Sequence, residues 1–582
     1  MKLFRKTALF LLLALVAISS LQAQNLEQYI PKNASFVMSI NLAHLDSKIS
    51  FEKLKQYDFY KESMKEMEKK LSKEDENLKK LITSPSELGI DAMSESFVFG
   101  KMDKDVSLFG FVFNISDHKK FSNFFKNTVI PESTTGTMGH IGKFQTFADD
   151  ELTFAWNKNV GILIGGKPNN ASPLGEANTA MVAAYTKQII NKSKANSILN
   201  DKRFVKATAG RKSDIRMWMD YEWVMELQMK DSKKQLEQLG MGSMLDGLKE
   251  MYKDSDYLVE LNFNDGAIVM DSKLFSNQKT LDKIRKMSSG KLNKDFFKYL
   301  PKDNLMGYFS MAMNTENFAD GMFEMFDPAI KDAGMTRPQM ENMAIDALKG
   351  MGIELDRKGL YEIMRGDMVF AVTGMREFSI KKTQYDEDFN RIEVETKQKL
   401  PEFTFMMTYG QEKALMKMVQ MGVDAGVLSK VANGFKLAVP SSELPMDMFL
   451  VMDNNILFLT NNTDLATGKL SKGYSKSNRM TKEQQKLMKE NSGAFYWDIP
   501  QSLNAAAEYA KEEGINDKTA TKMINVSKQS LESMILKTDK NIKNSQNTEF
   551  SFNFVNKRMN SLEQLFSYFN EIYLTAMNSG GM

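Results

Sequence analysis

The sequence predicts an α+β protein of two homologous lobes, each an antiparallel or mixed sheet packed with amphipathic helices. Two observations predict this fold class. The stretch YIPKNASFVMSINL, which begins at Tyr29, is similar to the stretch YLPKDNLMGYFSM, which begins at Tyr299. Pairs of apolar runs joined by a polar turn, as in SFVFGKMDKDVSLFGFVFNI, are typical of antiparallel hairpins and not of alternating βαβ units.

Each of the two openings predicts a strand that follows a proline. Pro31 and Pro301 fix φ and stop any helix. The next residues, 35–42 in the first opening and 305–313 in the second, have the pattern of a half-buried strand.

Helices are predicted between the strands. The residues from Phe111 to Val129 have the pattern of a strand, a turn and a helix, with Phe121, Phe124 and Phe125 on one side of the helix. Residues 59–82 predict a longer amphipathic helix, for which packing on its own sheet is favoured over a coiled coil with a partner.

Further landmarks recur in the same order and predict a domain duplication. The offsets between matched landmarks are 270 (Tyr29 to Tyr299), 263 (Gly89 to Gly352), 294 (Phe111 to Phe405), 296 (Trp156 to Met452) and 289 (Glu260 to Glu549). The jump between the second and third offsets coincides with the charged segment 376–401, which has no counterpart in the first half. We interpret this segment as an inserted β-hairpin or extended strand pair. A period near 280 residues indicates duplicated domains and not a solenoid.

The N-terminus predicts a cleaved signal peptide. Lys2, Arg5 and Lys6 precede an apolar run of 12 residues, 7–18, and the small residues that follow place the cleavage after Ala23. An uncleaved anchor is the alternative, but an apolar run of this length is too short to span a bilayer, which needs about 20 residues. We therefore expect a signal peptide at 1–23, a first lobe at 24–295 and a second lobe at 296–582.

The composition limits the expected cellular location of the protein and the kinds of site that it can form. No run in the mature chain reaches spanning length, and the absence of cysteine removes a lipid-anchor site, disulfides, thiolate nucleophiles and cysteine zinc sites. We expect a periplasmic or secreted protein. The formal charge of +3 over 582 residues gives no polyanion-binding field, so nucleic acid is not an expected partner.

Motifs for catalysis or metal binding do not stand out. The three histidines, His44, His118 and His140, lack ligand spacing, and no Gly-x-Ser-x-Gly or phosphate-loop motif occurs. A pair of carboxylates that catalyses hydrolysis is not excluded, because a chain with 74 acidic residues always includes candidate pairs. We therefore predict no cofactor and no metal, and we assign no catalytic residue.

Methionine is unusually frequent, with 44 residues that cluster in several stretches. Three interpretations are open: adaptable filler of the core, a thioether site for Cu(I), and an adaptable groove for a lipid or a peptide. Filler is favoured because most of these residues fall where the helical or strand period already requires an apolar side chain. A methionine-rich helix predicted over 217–251 is the place to look for an exposed apolar patch.

The opening YIPKNASFVMSINL and the general layout resemble a family of uncharacterised exported proteins of Gram-negative bacteria, described as a domain of unknown function (DUF4836). Mature chains of that family open with [Ile/Leu]-Pro-x-[Asp/Asn] and a strand. Many of them carry a lipid-anchor cysteine, which this chain lacks. The resemblance implies no catalytic residues.

The favoured function is non-catalytic binding of a protein, peptide or lipid in the cell envelope, since the cleft between like lobes is a natural ligand site. The alternative is a carboxylate-dependent hydrolase that acts on an envelope polymer or peptide. A catalytic set would be polar, buried and present in one half alone.

Overall fold

A computed structural model describes residues 25–70, 80, 84–91, 93–102, 106–130, 136–149, 152–168, 179–191, 194–238, 242–332, 334–385, 389–438, 446–512, 514–515 and 517–578. The predicted signal peptide and most of residues 71–83 lie outside this part of the chain. The described residues form two compact units. Unit 1 contains the described residues up to Met225, those in the range 254–275 and those from 557 onward. Unit 2 contains the described residues in the ranges 226–253 and 276–556.

Unit 1 is built on an antiparallel sheet whose strands lie in the order β11-β10-β9-β1-β3-β4-β8-β7-β6-β5. The short strand β2 pairs with the end of β4. The strands are β1 Phe36–Asn41, β2 Ile90–Asp91, β3 Glu95–Met102, β4 Val106–Ile115, β5 Thr137–Ile141, β6 Phe144–Asp149, β7 Leu152–Trp156, β8 Val160–Pro168, β9 Ile215–Asp220, β10 Asp256–Asn264 and β11 Ala267–Phe275.

Helices connect these strands. They are α1 Leu42–Lys48, α2 Phe51–Leu54, α3 Asp58–Lys70, α4 His118–Phe124, α5 Thr179–Asn191, α6 Lys202–Thr208 and α7 Tyr221–Gln238, which continues into unit 2. Short 3₁₀ turns occur at Leu26–Tyr29, Pro85–Leu88, Lys194–Asn196 and Ile198–Asn200, and a π turn at Phe125–Val129.

Unit 2 has an antiparallel sheet in the order β21-β20-β19-β12-β13-β14-β18-β17-β16-β15. Its strands are β12 Leu305–Ala312, β13 Met364–Tyr385, β14 Arg391–Tyr409, β15 Leu428–Val431, β16 Gly434–Leu437, β17 Phe449–Asp453, β18 Ile456–Thr460, β19 Asn491–Asp498, β20 Leu531–Asp539 and β21 Gln546–Phe554.

The remaining helices are α8 Gly242–Tyr252, α9 Gln278–Met287, α10 Thr315–Asp332, α11 Arg337–Gly350, α12 Arg357–Glu362, α13 Glu412–Asp424, α14 Thr463–Ala466, α15 Lys482–Glu490, α16 Ile499–Glu512, α17 Lys518–Ser530 and α18 Ser561–Met577. Short 3₁₀ turns occur at Lys294–Lys298 and Lys476–Asn478. Of these helices, α18 belongs to unit 1 and the others to unit 2. The protein is thus of mixed α+β type with antiparallel sheets.

The strand order is the same in the two units when β1 is matched with β12. In each unit the opening strand lies centrally, between the first strand of a long hairpin and a strand that is reached much later in the chain. A β-bulge between Leu305 and Gly307 absorbs the one residue by which the two openings differ in length. With that bulge, Val37 and Tyr308 occupy equivalent places.

The hairpin β13–β14 is much longer than β3–β4. In unit 1 the pairing ends at Met102 and Ser107. In unit 2 it continues from Arg376 opposite Leu400 to Tyr385 opposite Arg391.

Alternation along the strands divides the core of unit 1 between two faces of its sheet. On β4, Leu108 and Val112 belong to one cluster of buried side chains, and Phe111 and Phe113 belong to another. The second cluster also contains Phe121, Phe124 and Phe125, so the prediction of one apolar side for this helical segment is confirmed. In unit 2, Met406 and Met407 on β14 alternate in the same way between two clusters.

Candidate functional site

The helix α10 in unit 2 carries an apolar stripe along its whole length. The side chains of the stripe recur at intervals of three and four residues, so they share one face of the helix. They are Thr315, Phe318, Ala319, Met322, Phe323, Phe326, Ala329 and Ile330. Apart from Ile330, which is buried, these side chains are only half-buried.

Met335, Met340 and Tyr361 complete the lining of a cavity of about 480 Å³ over this stripe. Met335 comes from the turn after α10, Met340 from α11 and Tyr361 from α12. We call this cavity the apolar groove. Its volume lies in the range of small-molecule sites, and its lining is almost entirely hydrocarbon, aromatic ring and thioether.

The other side of α10 is packed within unit 2. The helices α8 and α9 both contact it. A Cβ at Gly321 would lie 3.1 Å from the sulfur of Met287 on α9, so the glycine permits the close approach of these two helices. Helix α10 therefore has one face that is covered by protein and another that lines the groove.

Local sequence sets the turn from α10 into α11. Gly334 has φ of +68°, which ends the first helix in the left-handed region. The Thr336 backbone N–H donates to Gln339 Oε1 over 2.7 Å, and Pro338 lies in the first turn of α11. This tight connection brings Met335 and Met340 to the groove.

A buried carboxylate fixes the three helices around the groove. Glu341 on α11 is 6% exposed and accepts hydrogen bonds from Arg337 Nε at 2.7 Å, Arg357 Nε at 2.8 Å and the Tyr361 hydroxyl at 2.7 Å. Burial raises the pKa of Glu341, but the hydrogen bonds from Tyr361, Arg357 and Arg337 outweigh that effect and lower the pKa to about 2. The carboxylate is therefore ionised at neutral pH.

The same network reaches α10. Arg337 pairs with Asp320 and lies over the ring of Phe323, 4.8 Å from its centroid. Arg357 Nη1 lies 3.0 Å from Glu316 Oε1. With Glu341, Asp320 and Glu316 opposing two guanidinium groups, the formal charge of this cluster is −1, and both cations are paired.

Unit 1 contains a different buried polar cluster, around Asp256 at the start of β10. Asp256 is 3% exposed and lies opposite Asp220 across the strand pair β9–β10. Arg203 contacts both carboxylates, at 3.4 Å from Asp256 and 3.0 Å from Asp220. Burial, with a smaller contribution from the neighbouring Asp220, raises the pKa of Asp256 to about 7 against the lowering effect of Arg203.

Residues considered from the sequence lie elsewhere. His44 is in α1, His118 in α4 and His140 in β5. The methionine-rich stretch 217–251 is not one helix, as predicted, but the end of β9 followed by α7 and α8. The predicted helix was wrong at its start because Met217 and Met219 continue a strand that pairs with β1 and β10.

The stripe on α10 was not predicted from the sequence. Its spacing over residues 315–330 could have predicted an amphipathic helix. Periodicity alone does not tell which apolar face lacks a covering element, so the groove itself needed the structure.

Within the described residues, no helix is long and apolar enough to cross a membrane. The fold and the groove define an α+β protein with antiparallel sheets and an apolar cavity among helices. The family model of a domain of unknown function, DUF4836, matches residues 26–506, and the chain belongs to this family. The predicted family resemblance is thereby confirmed.

No curated protein matches the sequence significantly. Two solved structures that match are crystal forms IV and III of TP0453, each with 8% sequence identity. Form IV gives a TM-score of 0.24 over 44% of this chain and 81% of the other, and form III gives 0.23 over 47% and 89%. Scores this low carry no argument about fold or function.

Proposed function

We propose that this protein is a non-catalytic, exported binding protein of the cell envelope, and that its ligand lies in the apolar groove of unit 2. One observation carries the proposal: the stripe on α10 is only half-buried along the helix, although its other face is packed. Apolar surface that stays open to solvent in a folded protein marks a place where something else binds. The network around Glu341 holds the walls of the groove in position.

Export is part of the proposal, and it is supported by the N-terminal sequence. The basic start, the apolar run and the small residues before Gln24 follow the order of a secretory signal. Periplasmic extraction followed by N-terminal sequencing tests this point. The expected first residue is Gln24, and an intact Met1 in the soluble extract would contradict the proposal.

A duplicated origin of the two units is also proposed, and it is supported by their common strand order. A further correspondence lies after the strands β9 and β19. Asp220 and Asp498 end these strands, and each accepts a hydrogen bond from the backbone N–H three residues later, at Trp223 and Gln501. Each therefore caps the helix that follows.

The binding proposal is tested with an uncharged apolar fluorophore, N-phenyl-1-naphthylamine. The protein is expected to bind it saturably, and Ala319→Trp, which places a bulky ring in the groove, is expected to abolish that binding. Ala344→Trp on the exposed side of α11 is the matched control and is expected to bind as the original chain does. Binding that survives Ala319→Trp in a folded variant would remove the groove as the site.

A carboxylate-dependent hydrolase is a second candidate, and Asp256 is the observation that favours it. A carboxyl group that keeps its proton near neutral pH is suited to general acid catalysis. At the place of Asp256, unit 2 has Ser533 opposite Asp498, so this buried carboxyl is present in one unit alone. Hydrolysis of an envelope polymer or peptide by the protein, lost in Asp256→Asn, is the result expected for this candidate. A broad substrate panel without turnover would remove it.

A further inference from the structure

We propose that the apolar groove holds an extended acyl chain of a lipid whose headgroup is not anionic. This inference rests on the proposed binding function and specifies its ligand. It follows from the length, the width and the charge of the groove.

The length of the groove is set by α10. Its lining runs from Thr315 to Ile330. With a rise of 1.5 Å per residue, these 15 steps correspond to about 22 Å along the helix axis. A hydrocarbon chain in its extended form advances about 1.25 Å per carbon, from a 1.52 Å bond and a tetrahedral angle. The groove is therefore as long as a chain of about 18 carbons.

The width admits an extended hydrocarbon chain. Dividing the cavity of about 480 Å³ by a length of about 22 Å gives a mean cross-section of about 22 Å², so the centres of the ligand atoms have a space about 5 Å across. The carbon centres of an extended chain fit within this width. An α-helix with its side chains needs about 10–12 Å, which excludes a helical peptide lying inside the groove.

The lining agrees with a hydrocarbon ligand of variable shape. Met322, Met335 and Met340 contribute flexible thioether side chains, which adapt to bends in a bound chain. Of the other lining residues, Tyr361 and Thr315 carry hydroxyl groups, and both are bonded within the protein, to Glu341 and to the Met364 carbonyl. Neither hydroxyl therefore needs a polar partner from the ligand.

The charges beside the groove argue against an anionic headgroup. Arg337 and Arg357 are already bonded to Glu341, and Asp320 and Glu316 leave the cluster with a formal charge of −1. Lys331, beyond the end of the stripe, pairs with Asp327 at 2.7 Å. An anionic headgroup gains no free cation from these residues, whereas a zwitterionic or neutral headgroup loses nothing.

The experiment is a chain-length series of lysophosphatidylcholines from 10 to about 22 carbons, titrated below their micelle concentrations. Affinity is expected to rise about fourfold per methylene, the transfer value for a buried CH₂, and to stop rising at about 18 carbons. Lysophosphatidylglycerol of equal chain length is expected to bind no more tightly. Three results would overturn the inference. They are an affinity that does not depend on chain length, an affinity that continues to rise past about 20 carbons, and an affinity that is tenfold higher for the anionic lipid.

Ala329→Trp sharpens the test because Ala329 lies near one end of the stripe. A bulky ring there shortens the groove, so the plateau is expected to move to shorter chains by about four carbons while short chains bind as before. Ala344→Trp is again the control. Fluorophore binding that depends on the groove, together with an absent plateau, would reject the acyl chain but keep the proposed function. Failure of both ligands in the folded protein would reject both.

Discussion

The two units share a strand order, yet they differ in what lies beside the sheet. After its opening strand, unit 2 has the long helix α10 with a half-buried stripe and a cavity. In the described part of unit 1, the helices α1, α2 and α3 follow the opening strand. Unit 1 instead buries the charged cluster of Asp256 and Arg203, where unit 2 has Ser533 opposite Asp498. The common sheet is thus a scaffold, and specific properties reside in the connections and in a few substituted strand positions.

Residues that lie opposite one another on five neighbouring strands form a row across each sheet, and the two matched rows show how the scaffold tolerates different side chains. Large and small residues occupy different positions in the two rows, so the total side-chain volume changes little although every residue differs. The row reads Trp218, Val37, Phe99, Gly110 and Ile164 in unit 1, and Tyr496, Tyr308, Ala371, Thr404 and Thr460 in unit 2.

The largest effect is expected from breaking this compensation. A Cβ at Gly110 would lie 2.1 Å from the ring of Phe99. Gly110→Thr, which introduces the residue of unit 2, is therefore expected to lower the free energy of unfolding by about 3 kcal/mol or more. Urea unfolding followed by circular dichroism measures the change.

The double variant Phe99→Ala, Gly110→Thr copies both unit 2 residues, Ala371 and Thr404. It is expected to be more stable than the sum of the two single changes predicts, by at least about 1 kcal/mol, because the clash and the cavity offset each other. Additive effects would show that the residues at positions 99 and 110 do not compensate for each other.

The next largest effect concerns the groove walls of unit 2. Glu341→Gln removes the charge that Arg337 and Arg357 share, and a loss of about 2–3 kcal/mol in unfolding free energy is expected. The pH dependence has a definite sign. Because the folded pKa of Glu341 is about 2, below the ordinary 4.5, its stabilising contribution is present above pH 4.5 and is lost as pH falls from about 4.5 to 2. A variant with the same acid profile as the original chain would contradict this account.

Much of the sheet arrangement could be predicted from local sequence. Gly89 and Gly352, matched as landmarks, have φ of +79° and +74°, and each is followed by a buried isoleucine. Trp156 and Met452 occupy equivalent places in the register. The landmark pair Glu260 and Glu549 was wrong, since Glu260 is in β10 and Glu549 in β21. In the matched register Glu260 corresponds to Lys537 of β20, so the sequence comparison was displaced by one strand, which only the strand pairing reveals.

The candidate site could be predicted less well. The sequence indicates an apolar stripe on any amphipathic helix, but whether another element covers that stripe depends on contacts far apart in the chain. The same holds for Glu341, whose partners Arg357 and Tyr361 come from a different helix. An adaptable groove is only one of three interpretations of the abundant methionine, and the stretch singled out from the sequence, 217–251, does not line the apolar groove.

A smaller effect is expected for the buried carboxyl of unit 1. Because the folded pKa of Asp256 is raised from 3.8 to about 7, the folded state keeps this proton longer, and its stabilising contribution is lost as pH rises from about 4 to 7. Asp256→Asn is expected to be more stable than the original chain at pH 8 by about 1–2 kcal/mol, after the lost attraction of Arg203 is subtracted. Thermal unfolding of both proteins at pH 5 and pH 8 measures this difference in stability. A stability difference between variant and original chain that is the same at the two pH values would exclude a protonated Asp256.

The smallest effect is expected at the hairpin extension, which unit 2 has and unit 1 lacks. The Tyr509 hydroxyl on α16 accepts a hydrogen bond from Gln398 Nε2 on β14 over 3.2 Å, and Tyr509 is 37% exposed. Water replaces this bond easily, so Tyr509→Phe is expected to cost at most about 0.5 kcal/mol. Tyr308→Phe is the comparison, because the hydroxyl of the buried Tyr308 donates to the Gln484 carbonyl over 3.1 Å, and its loss is expected to cost about 1–1.5 kcal/mol. Equal costs in urea unfolding would contradict the expectation that this contact is weaker than the buried contact of the central strand. A clear difference in the expected order would show that the polar contact at the extension contributes little to the stability of unit 2.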